Sequence, residues 1–333
     1  MRAYASLAAA TLVWGGAFVV GRVLVAEVDP LAVAWLRFVL ASAAFVPLER
    51  LEARRRSAAR PAPACLSPAS PCPLTWRDFA LLGLTGIFAY NLFFFYGLTR
   101  TTATESSLII ACSPVVVTLL GLAFLGERLT SRKVAGILAS VAGVTLIILG
   151  AAEPAGAGVG PGTTVSDRLA GDLLMLGGVV SWAAYSVLGK NVLRQVTPLA
   201  ATARASYWGA SLLTAAVVIR HGPSFLLRVL ATTGPREVLA LLYLSLVSTV
   251  FAFVAWYRGL AGTEVSRASV FLNLVPLSTL AIAAVVLAER PTWLQLAGGA
   301  GVIGGVLLVS LRGTAGTTAS PPAERKRPSP RRN

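Results

Sequence analysis

Long apolar runs occupy most of this sequence and limit what it can fold into. The first run, YASLAAATLVWGGAFVVGRVLV (4–25), carries one charged side chain and would be about 33 Å long as an α-helix. Runs of this kind are typical of transmembrane helices. The 333 residues include only 13% charged residues and have a mean hydropathy of +0.73, whereas a soluble domain has about 25% charged residues. The sequence therefore predicts an all-α integral membrane protein.

Ten such runs follow one another, separated by charged residues or by clusters of proline and glycine. In lipid a helix satisfies its own backbone hydrogen bonds, so each run is interpreted as one transmembrane helix. The first run is longer than the apolar core of a signal peptide, about 7–15 residues, and is expected to be retained. The predicted spans are 4–25, 31–48, 79–98, 104–125, 133–150, 170–189, 199–219, 237–258, 265–287 and 293–311.

The Lys and Arg residues predict the orientation of these spans. With a cytosolic N-terminus, 20 of the 29 Lys and Arg residues fall in cytosolic segments and 7 fall outside, as the positive-inside rule requires. The arginines of the loop at 220–236 are on the other side and run against the rule. The basic segments at 48–60 and 325–332 are expected to attract anionic lipid headgroups. The membrane-flanking position of these segments accounts for the net charge of +15. A nucleic-acid partner is therefore not predicted.

The chain also repeats itself. A shift of 162 residues superimposes 97–146 on 259–308, and a shift of 168 superimposes the first span on the sixth. Each half then holds five spans, and because five is odd the second half enters the membrane inverted. The residues that match under these shifts include Gly97 and Gly259, Pro114 and Pro276, Glu127 and Glu289, Gly143 and Gly305, Trp14 and Trp182, and Arg22 and Lys190.

The repeat predicts the domain organisation. Residues 1–150 form a first five-helix repeat, which includes a basic cytosolic loop at 49–78. Residues 151–312 form a second, inverted five-helix repeat, and 313–333 form a basic, disordered cytosolic tail. Many secondary transporters have such inverted repeats and bind solute near the bilayer midplane, where the two halves meet.

Several segments together resemble the EamA family of the drug/metabolite transporter superfamily. They are TLVWGGAFVVGRVL (11–24), PLAVAWLRFVLA (30–41), GLTRTTATESSLIIACSPVVVTLLGLAFLGERLT (97–130), GDLLMLGGVVSWAAYSVLGK (171–190) and GLAGTEVSRASVFLNLVPLSTLAIAAVVLAERPT (259–292). The resemblance implies ten helices, cytosolic termini and a central cavity lined mainly by spans 1, 3, 4, 6, 8 and 9. It also implies export of small metabolites, often amino acids or related compounds.

Two prolines and two tryptophans are candidates for the cavity. Pro114 and Pro276 lie inside predicted spans, where proline removes a backbone donor and kinks the helix. Their matching positions favour a role in shaping the cavity over packing alone. Trp14 and Trp182 lie at mid-span instead of in the interfacial belt where tryptophan usually collects. For them the sequence leaves cavity lining and core packing equally open.

Polar and charged residues within spans complete the predicted site. Asn91, Tyr96 and Asn273 could contact an amphipathic solute. Arg37 lies about two turns into the second span, where a charge is costly and indicates a function. Glu105 is its candidate partner in an ion pair or gate. Asp172, at the start of the sixth predicted span, is interpreted as a helix N-terminal acid.

The phrases LGERLT (125–130) and LAERPT (287–292) each end a span. Glu127 and Glu289 are interpreted as structural residues of a tight hairpin rather than as ion-coupling carboxylates. Thr292 and Gln295 have the spacing of a capping box, so a new helix is expected to begin directly after Glu289.

The sequence also restricts the chemistry of the chain. It has one histidine and three cysteines, Cys65, Cys72 and Cys112, so no metal site or cofactor is predicted and the cysteines are interpreted as incidental. Without a nucleophile–base pair or a metal-ligand set within spans, an enzyme is not expected. The prediction is a secondary transporter in the plasma membrane of a bacterium that exports an amino-acid-like or other amphipathic solute. A non-transporting sensor or scaffold is the alternative, and a homodimer is left open.

Overall fold

A computed structural model describes residues 2–58, 74–125, 131–151, 164–263 and 265–310. Every regular element in these ranges is helical, which confirms the prediction of an all-helical chain for that part of it. In chain order the helices are α1 (Arg2–Glu27), α2 (Pro30–Ala58), α3 (Trp76–Leu98), α4 (Ala103–Ile110), α5 (Ser113–Leu125), α6 (Ser131–Ala151), α7 (Val165–Val192), α8 (Pro198–His221), α9 (Ser224–Thr232), α10 (Pro235–Ala261), α11 (Val265–Val270), α12 (Leu274–Val286) and α13 (Trp293–Ser310).

Six helical stretches within the described ranges are long and apolar enough to cross a membrane. Two further apolar helices, Ala103–Val117 and Val134–Leu149, are shorter. A helix of about 20 residues is needed to cross the hydrocarbon core, so the chain is a multi-span membrane protein. The six stretches are Arg2–Glu27, Pro30–Arg55, Trp76–Leu98, Val165–Val192, Pro235–Ala261 and Ala268–Val286.

The start of α7 differs from the sequence prediction. Thr164 caps the helix and forms a capping box with Asp167, whose carboxylate accepts from the Thr164 backbone N–H at 3.1 Å. This cap starts the helix at Val165, five residues before the predicted span. Asp172 therefore lies two turns inside α7 and is fully buried, so its interpretation as a helix N-terminal acid is wrong.

Helices α3 and α10 each contain a π-helical segment. The segments cover Gly83–Ala89 in α3 and Tyr243–Phe251 in α10, and they overlap under the 162-residue shift. A π segment widens the helix and displaces backbone groups from their usual partners, and such segments are frequent at functional sites. Both segments lie next to the cavity described below.

Kinks were predicted at the two prolines, and the structure has a full interruption of the helix near each one. Helix α4 ends at Ile110 and α5 begins at Ser113, directly before Pro114. In the matching region α11 is followed by a 3₁₀ turn at Phe271–Asn273, and α12 then contains Pro276. Proline cannot donate the helical hydrogen bond at its own position, so each apolar run divides into two shorter helices.

Helices α6 and α13 cross in close contact through glycines. A methyl group at Gly298 would lie 2.5 Å from the carbonyl oxygen of Gly143, and one at Gly305 would lie 2.5 Å from that of Gly136. The two contacts exchange under the 162-residue shift. Small residues allow membrane helices to approach closely, so this crossing joins the last helix of each half of the sequence.

Basic side chains satisfy carbonyl groups at the ends of α3 and α10. The Arg22 guanidinium donates to the Leu98 carbonyl at 2.7 Å. The Lys190 ammonium donates to the Leu260 and Thr263 carbonyls at 2.6 and 2.5 Å. Arg22 matches Lys190 in the repeat, and both residues satisfy carbonyls that a helix C-terminus leaves without partners.

Candidate functional site

A narrow cavity, with about 30 Å³ of space for the centres of water-sized molecules, lies among the central helices. Helices α1, α2, α3, α7 and α10 contribute side chains to it, as do both interrupted spans. It is lined by Trp14, Ala17, Phe18, Arg37, Tyr90, Phe94, Ile110, Trp182, Phe253, Leu272 and Val275.

Aromatic rings form most of the cavity wall. The rings of Trp14 and Trp182 meet edge to face with centroids 5.0 Å apart, and each also contacts Phe253 edge to face. Phe18 and Phe94 form another such pair at 4.9 Å. Edge-to-face pairs contribute about 0.5–1.5 kcal/mol beyond their buried area, so the wall is a mutually supported cluster.

The two indole N–H groups differ. The indole N–H of Trp14 donates to the Ser248 carbonyl at 3.0 Å, in the π segment of α10. The indole N–H of Trp182 is buried and has no hydrogen-bond partner among the residues the structure describes. A buried donor without a partner is costly, so Trp182 offers an unused donor at the cavity wall.

Arg37 is the only charged residue that lines the cavity within the described ranges, and it is only 3% exposed. Its guanidinium donates to Thr249 Oγ1 at 2.8 Å, to Asn91 Oδ1 at 3.2 Å and to Ser248 Oγ at 3.2 Å. All three partners are neutral. The Phe38 ring lies 5.3 Å from the guanidinium carbon, close enough for a cation–π contact.

The π segments position these partners. Asn91 follows the π segment of α3 and is held by a hydrogen bond from its amide to the Ile87 carbonyl at 2.7 Å. Ser248 and Thr249 lie within the π segment of α10, where Thr249 Oγ1 donates to the carbonyl of Leu244, five residues earlier, at 2.8 Å. The guanidinium is therefore fixed by two wide helical turns.

No carboxylate forms an ion pair with Arg37 in the parts of the chain for which side chains are described. Removing a charge from water is expensive unless an opposite charge or strong acceptors replace the water. Three neutral acceptors satisfy donor groups but leave the positive charge uncompensated. The cavity therefore combines apolar aromatic walls with one fixed cation, which suits an amphipathic anion such as a carboxylate.

The residues predicted from the sequence fall into two groups. Trp14, Trp182 and Arg37 line the cavity, and Asn91 lies behind Arg37 as one of its acceptors. Tyr96 lies farther along α3 and does not line the cavity; its backbone carbonyl accepts from Thr99 Oγ1 at 2.8 Å.

The interruptions line the cavity, whereas the prolines themselves do not. Ile110 comes from the end of α4, and Leu272 and Val275 flank the second break. Asn273 lies in that break and is 8% exposed; neither its amide nitrogen nor its amide oxygen has a partner in the described structure. Pro114 and Pro276 thus set the position of these neighbours instead of contacting the cavity.

The candidate pair of Arg37 with Glu105 is not formed. Glu105 is fully buried at the start of α4, and its Oε2 accepts from the Arg168 guanidinium at 2.9 Å. The sequence prediction did not consider Arg168, because the residue lay outside the predicted sixth span. The early start of α7 brings Arg168 into the bundle.

Glu289 is a structural residue, but its carboxylate binds a distant helix instead of the hairpin in which it lies. Its two carboxylate oxygens accept from the backbone N–H groups of Ala103 and Thr104 at 2.9 Å each. It therefore caps the N-terminus of α4, which is distant in sequence. The predicted capping box of Thr292 and Gln295 is confirmed. Glu127 lies outside the described residues.

The sequence prediction missed most of the apolar cavity wall and two residues that support Arg37. Tyr90 and Phe94 are one helical turn apart on α3 and line the cavity, while the prediction named their neighbours Asn91 and Tyr96. The i, i+4 spacing of the two rings was the available signal. Ser248 and Thr249 gave no such signal, because their orientation depends on the π segment.

Comparison with known proteins identifies relatives that are named as transporters. The sequence model of the EamA-like transporter family matches residues 1–149 and 169–311. An uncharacterized transporter of Archaeoglobus fulgidus is 33% identical over 312 residues, which cover 92% of this chain and 96% of that protein. A probable terminal-alkyne amino-acid exporter of Streptantibioticus cattleyicolor is 32% identical over 234 residues, 70% of this chain and 72% of that protein.

Two further similarities cover most of the chain. A probable amino-acid metabolite efflux pump of Escherichia coli is 29% identical over 302 residues, 89% of this chain and 91% of that protein. A protein of known crystal structure has the same fold, with a TM-score of 0.62 at 23% identity, over 92% of this chain and 95% of the other.

Proposed function

The chain belongs to the EamA-like transporter family, and from this premise we propose that it is a secondary transporter that exports a small amphipathic metabolite carrying a carboxylate. An amino acid with an apolar side chain is the simplest example. The observation that carries the proposal is Arg37, a buried cation with neutral partners in an aromatic cavity. Relatives named as amino-acid exporters support the same class of solute.

In this proposal the carboxylate binds Arg37 and the apolar part lies against the rings of Trp14 and Trp182. Arginine binds carboxylates through two parallel N–H groups, an arrangement that lysine cannot reproduce. The unused indole N–H of Trp182 supplies a second donor. The solute would thus replace the missing counter-charge and the missing hydrogen-bond acceptor together.

We further propose ten spans in two inverted halves, residues 1–150 and 151–312, which expose the cavity alternately to each side of the membrane. The duplicated features support this arrangement. They are the two π segments, the two interrupted spans, the Arg22 and Lys190 contacts and the reciprocal glycine contacts of α6 and α13. The interruptions divide two spans at the cavity, where a helix can bend as the halves move.

The proposed location is the plasma membrane with both termini in the cytosol, as the distribution of Lys and Arg favours. Single cysteines placed in the 49–78 loop and after residue 313, in a variant without native cysteines, test this orientation. A membrane-impermeant maleimide added to intact cells should label neither position, and labelling of either one would contradict the orientation.

Transport is tested with purified protein in liposomes and a panel of labelled solutes. Phenylalanine, leucine and methionine form one arm, and phenethylamine, which lacks the carboxylate, forms the matched arm. We expect flux of at least one amino acid and none of the amine. If no solute moves and none raises the unfolding temperature, a sensor or scaffold becomes the better interpretation.

Arg37→Gln separates the role of the charge from the presence of a polar side chain. The variant keeps hydrogen-bonding capacity and should lower amino-acid flux at least tenfold, because a charge-assisted hydrogen bond contributes about 1.5–3 kcal/mol. Arg204→Gln is the control, since Arg204 lies in α8 on the exterior, over the Phe79 ring. Equal flux in both variants would remove Arg37 from the binding site.

A further inference from the structure

A second charged cluster lies at one end of the bundle, away from the cavity. It consists of Thr101, Glu105, Arg168 and Asp172, and all four side chains are buried. Glu105 Oε2 accepts from Thr101 Oγ1 at 2.8 Å and from Arg168 Nη2 at 2.9 Å. None of these residues belongs to the cavity wall, so the cluster is a separate feature of the structure.

Asp172 lacks the partners that a buried carboxylate requires. It is 0% exposed, and neither of its oxygens has a hydrogen-bond partner in the described residues. Its side chain faces those of Thr101, Glu105 and Arg168. The second oxygen of Glu105, Oε1, is also buried without a partner there. Three carboxylate oxygens are therefore unsatisfied in one small space.

The charges within the cluster do not balance. Two carboxylates face one guanidinium, so a fully ionised cluster carries one buried negative charge. The surrounding charged groups do not correct this. Glu289 is bound to the N-terminus of α4 and interacts with Arg22, while the Arg100 guanidinium donates to the Tyr96 carbonyl at 3.5 Å.

One proton balances the charge and gives partners to two of the three unsatisfied oxygens. Two carboxylates in a shared buried site do not both stay ionised, because each disfavours the charge of the other. A proton on one carboxyl group makes the cluster neutral and creates an O–H donor for an unsatisfied oxygen of the other. Arg168 then balances the carboxylate that remains charged.

We infer that Glu105 and Asp172 form a proton-binding site that couples transport to the proton gradient. The inference rests on the proposed transport function. The step is a simple protonation: one carboxylate accepts one proton when the site opens to the acidic side of the membrane and releases it on the other side. One proton would move inward for each solute that moves outward.

Two helices connect this site to the cavity. Helix α4 carries Glu105 and, five residues later, Ile110 of the cavity wall; α7 carries Asp172 and, ten residues later, Trp182. These separations are about 7.5 and 15 Å along a helix. Because α4 has only 8 residues and ends at the break before Pro114, a shift of this helix can link proton loading to the shape of the cavity.

The first test measures proton binding without transport. Unfolding temperatures of the detergent-purified protein are measured from pH 5 to pH 9 for the unchanged chain and for Asp172→Asn. If the folded chain holds a proton that the unfolded chain releases, stability falls as pH rises, by about tenfold in the folding equilibrium per pH unit. Asp172→Asn should lose this slope, and an unchanged slope overturns the inference.

Asp167→Asn is the matched control for this measurement. Asp167 lies on the same helix, five residues earlier, but is exposed in the capping box. Its substitution should lower the unfolding temperature and leave the slope attributed to Asp172 in place. If Asp172→Asn does not fold, Glu105→Gln serves as the second variant, and the same loss of slope is expected.

The second test measures coupling in liposomes with labelled phenylalanine, leucine and methionine. An inward proton gradient should raise outward flux at least severalfold in the unchanged chain, whereas Asp172→Asn should exchange solute without responding to the gradient. Flux that responds to sodium or to no gradient overturns the proton site and leaves the transport proposal intact. A pH slope that depends on Asp172 in a chain that moves no solute would instead support the proton site and contradict the transport proposal.

Discussion

The two ends of the helix bundle use matching sequence positions for different chemistry. At one end, Glu105 in the first turn of α4 lies next to Asp172 and Arg168. Under the repeat shifts, Asp172 matches Tyr4, which stacks on Phe271 with ring centroids 5.6 Å apart. Thus the position that holds a buried carboxylate at one end holds a stacked aromatic ring at the other.

Other contacts are alike at the two ends of the bundle. Arg22 and Lys190 satisfy helix-end carbonyls at both ends, and the glycine contacts of α6 and α13 are reciprocal. In the proposed two-half arrangement these matching contacts provide a common frame, and substitution at a few positions gives each end its own chemistry.

The largest effect is expected at the shared frame. Gly298→Val places a side chain against the Gly143 carbonyl, which is backbone and cannot move aside. Overpacking costs about 1–3 kcal/mol and occasionally more, and we expect a cost above ~3 kcal/mol here because Ile147 also lies within 3 Å of the added group. We expect a loss of monodisperse protein in detergent chromatography and a lower unfolding temperature. Gly304→Val is the control on the same helix, because an added Cβ at Gly304 meets no atom of another segment of the described structure within 4 Å, and it should lower the unfolding temperature much less.

The next largest effect is expected at the N-terminus of α4, which Glu289 caps. Glu289→Ala removes both acceptors from the N-terminus of α4 and should cost about 2–3 kcal/mol, because each charge-assisted bond contributes about 1.5–3 kcal/mol before relaxation. Glu289→Gln retains one oxygen and should cost less. Thermal unfolding of both variants measures this order, and equal losses would argue against the two-point cap.

A smaller difference in stability is expected between substitutions of the two cavity tryptophans, Trp14 and Trp182. Trp14→Phe leaves the Ser248 carbonyl without its donor, whereas Trp182→Phe removes an N–H group that has no partner in the described structure. An orphaned buried acceptor costs about 1–3 kcal/mol. Trp14→Phe should therefore unfold at the lower temperature, and Trp182→Phe should show the larger loss of solute affinity. Equal behaviour of both variants in both measurements would remove this distinction.

The smallest effect concerns the turn before Glu289. Ala288 has a φ of 52°, a left-handed conformation that favours glycine over alanine by about 1–2 kcal/mol. The matching residue of the first half is Gly126. Ala288→Gly should raise the unfolding temperature, with a gain of about 0.5–1 kcal/mol after the greater flexibility of unfolded glycine is included. A lower unfolding temperature would contradict the strain at this position.

Local rules predicted several features correctly from the sequence. The apolar runs predicted helices, the two prolines predicted kinks at places where the helices are interrupted, and the spacing of Thr292 and Gln295 predicted a capping box. Each of these depends on residues that are near one another in the chain. For Trp14 and Trp182 the sequence left cavity lining and core packing equally open, and in the structure both rings lie at the cavity wall.

The features that were missed depend on contacts between distant residues. The partners of Arg37 come from α3 and α10 and reach it because of π segments, which have no simple sequence signature. Glu289 was assigned to its own hairpin, although its partners lie 185 and 186 residues away. Asp172 was predicted to lie at the N-terminus of its helix. It lies inside α7 because the cap at Thr164 starts the helix before the apolar run begins.

The cap by Glu289 also has a consequence for biogenesis. The N–H groups at the start of α4 emerge from the ribosome long before the residue that satisfies them, since Glu289 is encoded 185 residues after Thr104. Thr102 supplies a local cap at the start of α4, but the N–H groups of Ala103 and Thr104 can reach the Glu289 carboxylate only after that residue has been synthesised. Packing around the start of α4 therefore includes a contact that forms late in synthesis.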